Sequence, residues 1–155
     1  MKIKTLLAIA LIGLAGMASV ASAEDAHKIV AQSDVKWGPA PDILPKGAEA
    51  ALLFGDPSKE GLFVLRLKFP AAYAVAPHTH PVMEVVTVIS GTGKLGMGET
   101  ADPGNTAVLP AGSFFALPPD MAHFAYFDEE TVIQITTSGP WGLTYVNPED
   151  DPRTQ

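Results

Sequence analysis

His78-Thr79-His80-Pro81-Val82-Met83-Glu84, continuing through Val85-Val86-Thr87-Val88-Ile89 to Ser90-Gly91-Thr92-Gly93, is the stretch that decides the reading of this chain. His78, His80 and Glu84 share one parity, and extended backbone sends alternate side chains to the same face. A strand here would turn two imidazoles and a carboxylate toward one another. The β-branched run from Val82 to Ile89 favours a strand, and the glycine-bearing segment 90–93 stops it. Such polar groups within an apolar strand are costly to desolvate unless their charge is shared. A divalent cation would share it.

Working outward, residues 1–23 read as a signal peptide. Lys2 and Lys4 form a basic start, Leu6 to Val20 is apolar, and Ala21-Ser22-Ala23 has the small-residue pattern of a cleavage site. The apolar run falls short of the ~20 residues a spanning helix needs. Cleavage after Ala23 is therefore expected, placing the protein in the periplasm or outside the cell, with no membrane attachment afterwards. The chain has no cysteine, so neither a cysteine-linked lipid anchor nor a disulfide is available. Its formal net charge is −7 and becomes −9 once Lys2 and Lys4 are lost. That balance speaks against nucleic acid and acidic membrane surfaces as partners. The remaining length suits one domain with a real core.

Fourteen glycines and fourteen prolines signal many turns and disfavour a helical fold. Short apolar runs recur between turn signals: Ala50 to Phe54, Gly61 to Phe69, Ala72 to His80, Met83 to Ile89, Gly93 to Met97 and Ala107 to Leu109. Ser113 to Leu117, His123 to Phe127, Thr131 to Thr137 and Gly142 to Val146 complete the series. In the second run Phe63, Leu65, Leu67 and Phe69 fall on one face, with Arg66 and Lys68 on the other. No sustained helical period appears after the signal peptide. The pattern predicts an all-β antiparallel barrel or sandwich over residues 49–147. Before it lies a proline-rich N-terminal arm at 24–48, and after it an exposed acidic tail at 148–155.

With these residues in place, the chain resembles the cupin superfamily, a group of small jelly-roll-like β-barrels. The first cupin motif, G-x5-H-x-H-x3-E-x6-G, reads here as Ala72, His78, His80, Glu84 and Gly91, with alanine replacing the leading glycine. The second, G-x5-P-x-G-x2-H-x3-N, fits Gly112, Pro118, Asp120, His123 and Phe127. Starting it at Gly104 instead would put Phe115 where the histidine belongs. Asp120 replaces a glycine, and aspartate tolerates left-handed turn geometry better than most residues. The resemblance implies that His78, His80, Glu84 and His123 hold one divalent transition metal at the mouth of the barrel. Three imidazoles and a carboxylate suit Fe, Mn, Zn, Ni or Cu and leave coordination positions open.

Other residues carry less. Arg66 either reaches an anionic substrate or sits on the strand surface. Tyr73, Tyr126, Gln134 and Tyr145 either present a polar group near the metal or are satisfied half-buried side chains. Arg66 and Tyr126 are the candidate substrate-binding residues, and Glu84 is a candidate base. His27 reads as a solvated terminal residue. The expected function is a metalloenzyme acting on a small polar substrate, by dioxygenase-type or by Lewis-acid isomerase or lyase chemistry. The alternatives are a non-catalytic periplasmic cupin that binds metal or a small ligand, and a metal-free ligand sensor. A homodimer is expected, because pairing covers exposed sheet edges.

Overall fold

The computed structural model describes residues 27–154. The expected signal peptide therefore lies outside the described residues. Among those residues the strands are β1 (Gly38–Pro39), β2 (Glu49–Phe54), β3 (Gly61–Phe69), β4 (Tyr73–Thr79), β5 (Glu84–Ser90) and β6 (Thr92–Met97). They continue as β7 (Ala107–Pro110), β8 (Phe114–Leu117), β9 (His123–Phe127), β10 (Thr131–Gly139) and β11 (Thr144–Tyr145). From β2 onward these match the runs expected from sequence to within a few residues, the usual uncertainty at element ends.

Two antiparallel sheets form the barrel, in the orders β1-β2-β3-β10-β5-β8 and β11-β4-β9-β6-β7. Phe63, Leu65, Leu67 and Phe69 of β3 are buried, while the residues between them are only partly so. Val86, Val88, Ile133 and Ile135 extend this inner face across the first sheet. The second sheet answers with Val75 and Phe127, and the Phe69 and Phe127 rings stack at 4.1 Å between centroids. Burying each such side chain contributes roughly 1.5–3 kcal/mol.

The N-terminal arm is joined to the barrel from Gly38 onward. β1 pairs with β2 as an edge strand, where a proline costs no ladder bond on its outer side. Leu44 and Ala48 are buried in the core. The Tyr73 hydroxyl donates to the Pro45 carbonyl, and the Tyr145 hydroxyl donates to the Ile43 carbonyl at 2.8 Å. Both tyrosines thus fasten the arm, and their pKa values are raised, chiefly by burial. At the far end, short 3-10 turns at Pro148–Asp150 and Pro152–Thr154 bury no residue.

Candidate metal centre

The ligand candidates come from both sheets. His78 of β4 and His123 of β9 are register partners in the second sheet. Glu84 opens β5 in the first sheet, and His80 lies in the connection between β4 and β5. The single-strand geometry expected from parity is therefore corrected. Pro81 lacks a ladder donor and ends β4, the chain crosses to the other sheet, and the crossing brings Glu84 back toward the histidines. Asp120 N–H holds the crossing by donating to the His80 carbonyl at 2.9 Å.

All four side chains are buried, each 6% exposed or less. The donor nitrogens of His78, His80 and His123 lie within 4.8 Å of one another. Glu84 borders two of them, with Oε1 at 3.3 Å from His80 Nε2 and Oε2 at 3.2 Å from His123 Nε2. Each imidazole is oriented by a backbone carbonyl: His78 Nδ1 faces Ala76 O at 2.7 Å, His80 Nδ1 faces Gly142 O at 2.6 Å, and His123 Nδ1 faces Met121 O at 2.9 Å. A carbonyl only accepts, so each Nδ1 carries a proton, which in a neutral ring leaves the Nε2 lone pair free. Outer partners of this kind fix the tautomer that metal-binding histidines require.

Electrostatics agree with that assignment. Burial, with a smaller push from His123, lowers the His78 pKa to about 3. Burial also lowers that of His80, opposed by Glu84. Both rings are neutral at pH 7, the protonation state a metal needs. His80 Nε2 and Glu84 Oε2 are buried without a hydrogen-bond partner. Orphaned acceptors at such depth are rare and call for a missing partner. These residues fit a divalent transition metal.

Behind the histidines lies a cavity of about 60 Å³. Its wall is mostly aliphatic and aromatic, including Leu67, Phe69, Val88, Phe115, Ile135 and Leu143. Neither candidate substrate-binding residue lines it. Arg66 lies on the opposite face of β3 from the buried Leu65 and Leu67, and its Nε donates to Gln134 Oε1 at 3.0 Å. Tyr126 alternates with the cavity-lining Ala125 and Phe127 and packs edge-on against Phe124 at 5.7 Å. Strand alternation thus turns both away from the cavity. Sequence reading missed Trp141, which lines the cavity and stacks on His80 at 5.1 Å and 18°. A tryptophan set between Pro140 and Gly142 was the available signal, since such flanks mark a fixed loop. Its backbone N–H donates to Pro57 O at 2.8 Å, which holds that loop in place.

Two antiparallel sheets with three histidines gathered between them define a cupin-type barrel with a site that can hold a metal. The chain belongs to the family described as a domain of unknown function, DUF4437, which it matches over residues 18–143. It is 31% identical over 81 residues to Germin-like protein 3-1 of Oryza sativa subsp. japonica, covering 52% of this chain and 36% of that protein. The chain thus spans little more than a third of the length of that curated relative. Among solved structures, the polyketide cyclase RemF from Streptomyces resistomycificus superposes with a TM-score of 0.68 at 18% identity, covering 81% of this chain and 89% of that one. A candidate acetylacetone dioxygenase from Methylibium petroleiphilum gives 0.61 at 21%, covering 81% and 85%. An RmlC-like cupin from Shewanella frigidimarina gives 0.55 at 18%, covering 70% and 87%. At these identities the likeness establishes the fold.

Proposed function

We propose that this protein is a metal-dependent enzyme that transforms a small molecule held in the barrel. The observation that carries this reading is the set of three Nε2 lone pairs and the Glu84 carboxylate gathered beside an apolar cavity. His78, His80 and His123 would hold the ion, with Glu84 as a fourth ligand. When bound, a divalent metal with open positions supplies either a redox centre for dioxygenase-type chemistry or a Lewis acid that polarises a carbonyl. The rest falls to the chain. The carbonyls of Ala76, Met121 and Gly142 keep the imidazoles aimed, and the apolar wall excludes water. Glu84 Oε2, free of hydrogen bonds, is the atom suited to take a proton from the substrate. The fold likeness to a polyketide cyclase and to a candidate dioxygenase accords with an enzyme but does not choose between reactions.

The same proposal places the protein outside the cytoplasm, with residues 1–23 removed, and pairs it as a homodimer. Elemental analysis of protein matured in its native host, followed by oxygen uptake and substrate-loss assays on ketones, phenols and sugar acids, tests the enzyme. Stoichiometric metal with turnover of one of these is expected. Tight metal without any turnover would favour a metal- or ligand-binding protein instead.

A further inference from the structure

The cavity contains a second feature beyond the metal ligands. Apart from those four residues, only Lys94 and Trp141 among its lining residues have polar side chains. The Lys94 ammonium is engaged by Asp128 on the outer surface, so it offers the cavity no charge. Arg66 is turned away and held by Gln134. An anionic ligand would therefore give up its hydration without meeting a cationic side chain of the described residues, and its only counter-charge would be a metal ion already partly neutralised by the Glu84 carboxylate. Trp141 is different. Its indole Nε1–H is buried without an acceptor, on a ring that forms cavity wall and lies flat against His80. The ring is fixed by that stacking, by an edge contact with Phe63 at 6.2 Å, and by the backbone bond to Pro57. A preset donor in an apolar wall selects for an acceptor oxygen.

We infer that the cavity takes a small uncharged molecule with an apolar body and a carbonyl-type oxygen, and that Trp141 Nε1–H is the specificity-determining donor to that oxygen. This names the substrate class for the proposed enzyme and rests on that reading only in treating the ligand as a substrate. The ligand is small, because the cavity is only about 60 Å³.

The test compares 3-methyl-2-butanone with isobutyrate, which have nearly the same shape but differ in charge. Binding is followed by NMR of the ¹⁵N-labelled full chain, once loaded with Zn²⁺ and once after chelation. Trp37→Phe assigns the two indole N–H signals, since Trp37 lies in the arm beneath the Lys68 ammonium and does not line the cavity. In the chelated protein the ketone should shift the Trp141 indole signal saturably and bind about tenfold or more tighter than isobutyrate. Trp141→Phe keeps an aromatic ring on His80 and removes the donor. It should weaken the ketone about three- to tenfold, with the melting temperature checked to confirm folding. Equal binding of isobutyrate, no ketone binding, or full ketone affinity in Trp141→Phe would each overturn the inference. Failure to retain Zn²⁺ would instead count against the metal reading, because the ketone preference is judged without metal.

Discussion

His80 sits where three roles meet: its Nε2 is orphaned, its Nδ1 is fixed by Gly142, and its ring supports Trp141. His80→Ala should remove most bound metal and lower the melting temperature. An ion that binds only the folded state stabilises it by about 4 kcal/mol at a thousandfold excess over Kd, so chelation of the unmodified protein should reproduce part of the loss. His27→Ala, at an exposed position, should change neither metal content nor melting. Equal metal content in His80→Ala and His27→Ala would refute the ligand assignment. The buried histidines also set a pH dependence in the metal-free chain. His78 has its pKa lowered to about 3, first by burial and then by His123, from an ordinary 6.5. The native state thus binds fewer protons than the unfolded chain. The stability tied to neutral His78 is complete above the unfolded pKa and drains away as the pH falls from 6.5 toward 3. Thermal melts of chelated protein should show a falling midpoint across that window. A flat profile would be inconsistent with the buried neutral ring. At this scale the clustering of His78, His80 and His123 was legible because motif spacing fixes it. Arg66 and Tyr126 were misplaced because which way a residue faces depends on where its strand lies in the barrel, which spacing alone does not reveal.

Strands and turns show the same mixture. β3 was legible from its alternation, because one face meets the core and the other meets solvent. The switch between β4 and β5 was not, since the shared parity of His78, His80 and Glu84 reads as one strand although the runs before and after Pro81 pair in different sheets. Turn chemistry at the motif edges was partly visible. Asp120 and Ala72 stand where the cupin pattern has glycine, and both adopt positive φ, 60° and 59°. The fold has therefore kept the left-handed turns and accepted their cost. Ala72 has no side-chain hydrogen bond to offset that strain, so Ala72→Gly should stabilise the protein by about 0.5–1 kcal/mol. The reverse change at Gly91 should harm it. Gly91 has φ 73°, and a Cβ there would come within 2.4 Å of the Glu130 carbonyl oxygen and 2.7 Å of Thr131 Oγ1. Gly91→Ala should cost about 2 kcal/mol or more. Urea denaturation of the two variants checks both signs, and a stabilising Gly91→Ala would show that the β5–β6 turn is not held as described.

Across the whole molecule, the two edges of the first sheet are finished differently. The β1 edge of the first sheet carries Pro39, which cannot donate to a further strand. The opposite edge, β8, reads Phe114-Phe115-Ala116-Leu117, with no charge and no proline to discourage pairing. Phe114 is 61% exposed there, and Leu62 and Ile89, at 54% and 38%, add apolar surface elsewhere on the first sheet. An unguarded apolar edge is a liability that a second copy would cover. The expected homodimer should therefore use the β8 edge, leaving the histidine cluster inside each barrel. Light scattering at micromolar concentration should give twice the chain mass. Phe114→Lys places a charge on that edge at an exposed position, so it should shift the mass to that of one chain while metal content stays unchanged. A monomeric unmodified protein would rule out the pairing altogether. A dimer indifferent to Phe114→Lys would move the interface away from β8, toward the arm and the β1 edge.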